Sequence, residues 1–528
     1  VEYVDVVIVG GGATGVGVAR DLALRGVGVA LVDRGDVADG TSGRNHGLLH
    51  SGGRYAVRDP AAAEECIREN LILREVAPHC IDPCAGLFVA LEGDDPSYAR
   101  RFEEACARAT IETTRLGRRE ALEREPGLSE RVSEAYLVPD AAVDPFFLCL
   151  SNAMDAAEHG AIILTHHEVV EVTRSDRVTG LVLANGLTGE RRRIECRLVV
   201  NAAGPWAGKV AALAGVEVEL VLSRGALVVT RGRLVRGVVN RMRPPSDGDI
   251  IVPGGPVCLL GTTSVTVGSP EDLDAGAEEA DRLVAQGSEL VPMIWGARII
   301  REFAGIRPLY QEEAGPGDGR AVSRGFAVLD HEARDGLPGL VTVVGGKLTT
   351  YRLMAEKVAD LVAARLGVDA PCTTATSRLP GSEAVERPPW PVAVPGLESR
   401  ALEIRHGSRA SRVLEGAGGL SRVCVCETVP EAEVRYAVRE LFARTIDDVR
   451  RRTRLGMGPC QASTCAPRAA AIIADELGLA PAQADALLRE FLLERRRGRL
   501  AVASHGGAAQ EELIRSAERG LAAGEVEP

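Results

Sequence analysis

Four cysteines near the C-terminal end have the spacing of a ligand set. Cys424 and Cys426 form a C-x-C pair, and after 33 intervening residues Cys460 and Cys465 form a C-x4-C pair. Four thiols so arranged can converge on one metal site. Structural zinc is the simplest occupant, but it favours C-x2–4-C knuckles in both halves. Four thiolates around a two-iron, two-sulfur cluster fit at least as well. Glycines 456 and 458 would leave backbone N–H groups to meet the sulfurs. The other eight cysteines are scattered through apolar or helical contexts and read as buried thiols of a reducing compartment.

At the other end of the chain the chemistry is that of an anion. An apolar run at 6–9 enters Gly10-x-Gly12-x-x-Gly15, followed by a helix-forming stretch at 16–24 and a second apolar run at 27–32 that ends on Asp33. Gly10 permits a tight turn, Gly12 a close approach to pyrophosphate, and Gly15 close packing of helix on strand. The helix N-terminus then meets the anion, and Asp33 can accept from a ribose hydroxyl. These residues predict a dinucleotide, FAD or NAD.

A glycine-dense loop at 40–55 carries Arg44, His46, His50, Arg54 and Tyr55. Loops of this composition let backbone wrap something flat or anionic. Further on, residues 198–208 end a buried strand on Ala202-Ala203-Gly204, a second smooth surface for a long cofactor. Arg307 stands alone among apolar residues in Gly305-Ile-Arg-Pro-Leu309 and needs either a carboxylate partner or an anionic ligand. A second strand–glycine–helix junction follows at Gly345-Gly-Lys-Leu-Thr-Thr-Tyr-Arg352, where Thr349 or Thr350 is the expected N-cap. That helix dipole could face negative charge on a flavin ring.

The elements needed to hold these groups set the architecture. At 528 residues, 45% of them hydrophobic, the chain has material for several domains. The net charge of −12 argues against nucleic acid as a partner. The first strand starts near residue 4, no long apolar window occurs, and the expectation is a cytoplasmic protein. Charged helical segments at 80–140, such as 98–116, read as an inserted cap, and 216–330 reads as an inserted antiparallel sheet. Prolines 371, 380, 388, 389, 391 and 395 mark a linker over 371–420. Beyond it, Thr428-x-x-Glu431 matches a capping box opening a helix at 431–442, a second helix spans 446–453, and a third begins at Pro467. Arg450-Arg-Arg452 reads as a solvated helix face, and residues 476–528 as a charged helical tail.

Taken together and in order, the glycine turn, Gly43-Arg-Asn-His-Gly-Leu-Leu-His-Ser-Gly-Gly-Arg-Tyr55, Val199-Val-Asn-Ala-Ala-Gly-Pro-Trp206, Gly305–Leu309 and Gly345–Arg352 closely resemble FAD-dependent glycerol-3-phosphate dehydrogenases over roughly residues 1–375. The resemblance implies an α/β, Rossmann-like FAD-binding domain (about 1–75, 140–215 and 331–370) with an inserted D-amino-acid-oxidase-like substrate domain (about 76–139 and 216–330). It implies FAD rather than NAD, bound by Gly10, Gly12, Ala13, Thr14, Gly15, Asp33, Arg34, Thr41, Ser42, Asn45, Gly47, Leu48, Leu49, Val169, Ala203, Gly204, Trp206, Gly346, Lys347, Leu348 and Thr349. Arg54, Tyr55 and Arg307 are then expected at the substrate, glycerol 3-phosphate, and Lys347 beside the flavin. Aerobic members carry a histidine where this chain has Leu227, in Ser223-Arg-Gly-Ala-Leu227, so His50 is the substitute candidate base. That departure, with the cysteines, resembles the catalytic component of the anaerobic three-subunit type. Residues 421–475 resemble the bacterioferritin-associated-ferredoxin-like domain, which implies a [2Fe-2S] cluster on Cys424, Cys426, Cys460 and Cys465. Implied partners are a second flavoprotein and a membrane-anchoring iron–sulfur subunit, reaching quinone indirectly at the inner face of the membrane. The alternatives are a flavin dehydrogenase of another 2-hydroxy acid or amine, or an electron-transfer scaffold without its own turnover.

Overall fold

The computed structural model describes residues 2–310, 325–383, 390, 392–416, 418–508, 511–512 and 514–516. Prolines 388, 389 and 391 of the expected linker and much of the tail beyond 508 lie outside them.

An eight-stranded sheet forms the first layer. The strand Glu2–Val9 lies parallel to Val29–Val32 on one side and to Arg191–Asn201 on the other, and Leu340–Gly345 adds in parallel beyond. These strands are apolar because both faces are covered. Helices Ala13–Leu24, Pro145–Glu158 and Tyr351–Leu366 pack on one face. On the other face lie helix Ala207–Leu213 and the antiparallel ribbon His167–Arg174 with Val178–Asn185.

The second sheet has nine strands, with the long antiparallel pair Val221–Thr230 and Ile299–Leu309 at one end of it. Residues 80–140 are not the expected set of charged helices. The helix within 98–116 stops at Arg108, and Gly86–Leu91, Val132–Val138 and Thr114–Gly117 extend this second sheet. The expected all-antiparallel insert also contains one parallel pair, Val238–Arg241 beside Gly86–Leu91. Ala226 and Val228 of Val221–Thr230 and Cys258 and Leu260 of Val257–Gly261 supply the face that packs against Ala280, Leu283 and Val284 of helix Gly276–Leu290.

The segment 371–420 is more than a linker. Leu379 donates its N–H to Val76 O at 2.8 Å, Arg20 donates to Ser377 O at 2.7 Å, and helix Gly396–His406 packs on the cysteine domain. Arg405 of that helix pairs with the buried Glu433 at 2.6 Å. The capping box expected at Thr428 does not form: Thr428 takes a left-handed backbone, and helix Glu431–Glu440 begins after Pro430 with no side-chain cap. A capping box forms instead at Thr445 and Asp448, opening Ile446–Thr453. Thr350 likewise holds the N-cap position without capping, its hydroxyl bonding Lys347 O.

Arg450–Arg452 is not a solvated face. Arg452 is 1% exposed and grips Asp36 of the glycine-turn domain, with Nη2 donating to Oδ1 at 2.6 Å. Arg451 reaches Asp36 and Asp39, and Arg454 reaches Asp144. These pairs seat the cysteine domain against the loop that follows the second strand. The tail helix Pro481–Leu500 is also packed, with Gly498 against Glu302 O and Glu494 paired to Arg301 at 2.6 Å.

Candidate active site and cysteine site

A cavity of about 1260 Å³ opens at the carboxyl ends of the parallel strands and continues to the second sheet. It brings together Gly10, Gly12, Ala13, Thr14, Asp33, Arg34, Thr41, Ser42, Asn45, Leu48, Val169, Ala203, Gly204, Trp206, Gly346, Lys347 and Leu348, with His50, Arg54, Tyr55 and Arg307. Four expected contacts do not line it. Gly15 is a packing residue, since a Cβ there would stand 1.8 Å from Gly10 O. Gly47 is pressed against Val143 O, and Leu49 is buried in strand Leu48–Leu49. Thr349 is buried behind the wall, where its hydroxyl accepts the His50 N–H at 3.1 Å and so orients that residue.

At the nucleotide end the fingerprint is built as its residue types require. Gly10 has φ +114°, and a Cβ there would lie 2.5 Å from Ala202 O. Asp33 accepts the N–H groups of Gly11 at 2.6 Å and Gly35 at 2.8 Å. Burial pushes it up to about 6, although both amides pull it down. The Arg34 guanidinium stacks 4.2 Å from the Trp206 ring centre, and Glu271 accepts from Trp206 Nε1 at 2.7 Å and Lys209 at 2.8 Å. The cavity's length, the bare Gly12 at a helix N-terminus and the smooth Ala202–Gly204 segment fit an extended dinucleotide.

At the far end the two arginines differ. Arg54 pairs with Asp249 at 2.9 Å, but Arg243 shares that carboxylate at 2.8 Å, so two guanidiniums divide one negative charge. Arg307 lies over Gly225, where a Cβ would stand 2.3 Å from Nη2. It donates to Thr263 O at 3.2 Å from both terminal nitrogens, to Ser223 Oγ at 3.4 Å, and to the Thr262 hydroxyl. Among the described residues these partners are neutral oxygens, and they orient the fork. Lys347 Nζ sits 5.2 Å from the Tyr55 ring centre, and the His50 ring lies 5.3 Å from Tyr55. Leu227 is a core residue, 1% exposed, outside the cavity. The sequence singles out His46 in the glycine-dense loop without giving it a role, and the structure puts it in the wall beside His50. Asp249, Thr262 and Thr263 gave no signal in the sequence, since their role comes only from facing an arginine far along the chain.

In the small domain the four cysteines gather as two pairs. Cys426 and Cys460 sulfurs are 3.7 Å apart, and Cys424 hydrogen-bonds Cys465. That bond, with amide N–H groups of Gly456 and Glu427, pulls Cys424 down to about 6 against burial, while Cys465 is pushed up by Cys424. Burial and Cys460 push Cys426 up to about 11. A Cβ on Gly458 would meet the Cys426 Cβ at 2.4 Å, so only glycine lets the two loops approach. Among the described residues no three metal-ligating groups form one tight cage. Two thiol pairs fit two iron atoms holding two thiolates each better than one zinc. Six of the other eight cysteines are buried, and Cys80 lies 3.4 Å from the His79 ring.

Fold and site define a flavin-dependent oxidoreductase that carries an iron–sulfur domain. Residues 5–360 match the FAD dependent oxidoreductase family, and residues 422–475 match the BFD-like [2Fe-2S] binding domain. The A subunit of the anaerobic glycerol-3-phosphate dehydrogenase of Escherichia coli (strain K12) is 44% identical over 523 residues, covering 98% of this chain and 96% of that protein. The A1 subunit of the Haloferax volcanii enzyme is 45% identical over 486 residues, covering 89% and 83%. The chain belongs to this family of anaerobic glycerol-3-phosphate dehydrogenase A subunits. The crystal structure of the Bacillus halodurans glycerol-3-phosphate dehydrogenase complexed with FAD shares the fold, with TM-score 0.72 and 24% identity over 94% of this chain and 95% of that one. FAD is therefore the cofactor of the large domain and a [2Fe-2S] cluster that of the small one, which removes NAD and zinc.

Proposed function

We propose that this chain oxidises sn-glycerol 3-phosphate to dihydroxyacetone phosphate and passes the electrons through its iron–sulfur domain. The observation that carries the reading is the single cavity that joins a dinucleotide fingerprint to Arg54, Arg307, His50, Tyr55 and Lys347. When bound, FAD supplies the acceptor for the hydride from carbon 2. Arg307, fixed by Ser223, Thr262 and Thr263, presents a planar fork to phosphate oxygens, and Arg54 adds charge from the facing wall. Lys347 and Tyr55 close the reacting end, and Thr349 fixes His50. In domain terms, residues 1–370 perform the oxidation, with the second sheet supplying the substrate wall through Thr262, Thr263 and Arg307, residues 76–139 extending that sheet away from the cavity, and 421–475 carrying the cluster.

A cluster that moves single electrons suits onward transfer from a two-electron donor. Partner subunits follow from membership of a family of A subunits. We assign them as a second flavoprotein and a membrane-anchoring iron–sulfur subunit that delivers electrons to quinone and holds this chain at the inner face of the membrane. No helix of the described residues is long and apolar enough to cross a membrane. The test is turnover of the purified, cofactor-loaded protein with an artificial dye across a panel of alcohols. Glycerol 3-phosphate should exceed glycerol and simple 2-hydroxy acids by orders of magnitude. A 2-hydroxy acid or amine outperforming it would overturn the reading.

A further inference from the structure

Strands Val238–Arg241 and Ile250–Gly254 of the second sheet are joined by a loop that carries Arg243, Ser246 and Asp249. Ser246 lines the cavity beside Arg54, whereas Arg243 and Asp249 stand behind the wall. Asp249 is buried, and its two oxygens are divided. Oδ2 accepts the Ser246 N–H at 2.6 Å and Arg54 Nη2 at 2.9 Å, while Oδ1 accepts Arg243 Nε at 2.9 Å. Arg243 is itself fixed, donating Nη2 to Gln286 Oε1 at 2.8 Å. Gly248 has φ +66°, and a Cβ there would stand 2.6 Å from Gln286 Cβ, so the loop is pressed onto helix Gly276–Leu290. The loop's other acid, Asp247, pairs with Arg282 at 3.4 Å.

We infer that Arg243 keeps the charge of Arg54 available to the substrate phosphate by holding the far oxygen of Asp249, a positioning residue that never touches substrate. This rests on the reading of the cavity as the glycerol 3-phosphate site. A phosphate-binding arginine has two needs that conflict. Its fork must be held in one direction, and the group that holds it must leave its charge uncancelled. Arg54 with Asp249 alone would be oriented but neutral as a pair. With Arg243 on Oδ1 the group has two guanidiniums and one carboxylate, so a net positive charge faces the cavity through Arg54. Arg307 meets the same need differently, since it is oriented through the neutral oxygens of Ser223, Thr262 and Thr263.

The inference has a consequence that packing alone would not produce. Removing the Arg243 charge leaves Asp249 wholly to Arg54, and the group becomes neutral toward an incoming anion. Neutralising Asp249 in the same chain then returns the net positive charge to Arg54, so a second substitution repairs the first. If Arg243 serves only to brace the loop, the second change takes away another of the brace's bonds, and the two losses add.

The experiment uses the FAD-loaded full chain, with flavin absorbance as the check on folding and calorimetric titration with inorganic phosphate as the readout without turnover. Arg243→Gln should raise the Kd for phosphate about 5- to 50-fold, the effect of one nearby unit charge at an effective dielectric of about 20. KM for glycerol 3-phosphate should rise in step while kcat stays within about threefold, as for a loss of uniform binding. Arg243→Lys, which keeps the charge, should stay within about threefold of the parent in Kd. Arg243→Gln combined with Asp249→Asn should also return to within about threefold. Where Arg243→Gln alone does not retain FAD, the lysine and double variants decide. An unchanged Kd in Arg243→Gln, a lysine variant as weak as the glutamine one, or a double variant weaker than Arg243→Gln or than the parent by more than that margin would overturn the inference. A parent that neither binds phosphate nor oxidises glycerol 3-phosphate would instead overturn the function beneath it.

Discussion

Arg452→Ala removes the centre of the contact between the two domains. Arg452 has both terminal nitrogens on Asp36, donates Nε to Leu441 O at 2.8 Å, and is 1% exposed, as is Asp36. Cutting one partner from a buried ion pair costs about 3–5 kcal/mol, because the other charge stays buried. Arg451 still reaches Asp36 Oδ2 at 3.1 Å, which places the cost at the lower end, about 3 kcal/mol. The loss should fall on docking of the small domain, and about 3 kcal/mol lowers the docked-to-undocked ratio on the order of a hundredfold. In anaerobic stopped-flow, substrate should bleach the flavin at the parental rate while the cluster is reduced more slowly. Limited proteolysis should release the small domain faster than in the parent. Changing both partners to apolar residues, Arg452→Met with Asp36→Leu, should recover much of the docking, since the desolvation cost disappears with the charges. Unchanged cluster reduction and proteolysis in Arg452→Ala would refute the assignment of this pair as the anchor.

Three further outcomes are expected. Arg307→Ala should remove a charge-assisted interaction of about 1.5–3 kcal/mol, lowering kcat/KM for glycerol 3-phosphate about 10- to 150-fold and barely affecting glycerol. Gly225→Ala, which drives a methyl into the same guanidinium, should act in the same direction; equal losses on both substrates would count against phosphate binding. Changing Cys424, Cys426, Cys460 or Cys465 to Ser should abolish iron and sulfide while sparing flavin reduction by substrate, and iron analysis with flavin bleaching reads both. His166 hydrogen-bonds Asp448 at 2.9 Å across the domain contact; burial opposes its charge but Asp448 outweighs it, so its pKa is raised above 6.5. That stabilisation is complete below 6.5 and is lost as pH rises through the raised value. Proteolytic release of the small domain should therefore quicken with rising pH in the parent, and His166→Gln should flatten that dependence; an unchanged slope would exclude the pair as its source.

The residues alone determined whatever local backbone chemistry dictates. Gly10 and Gly15 sit where no Cβ fits, so the dinucleotide turn was legible from its glycines, and Asp33 from its distance along the second strand. Gly458 and the four thiols were legible for the same reason, because a metal site limits its ligands to few spacings. What only the tertiary structure decided concerns charges and faces whose partners lie far along the chain. Arg450–Arg452 reads as a solvated run until Asp36, 416 residues before Arg452, is brought against it. His46 is one polar residue of a loop until Arg54 and Arg307 are placed beside it, and Leu227 is a missing base until it proves to be core. A glycine's conformation is a property of its own backbone, whereas the state of an ionisable side chain belongs to the field around it, which exists only after folding.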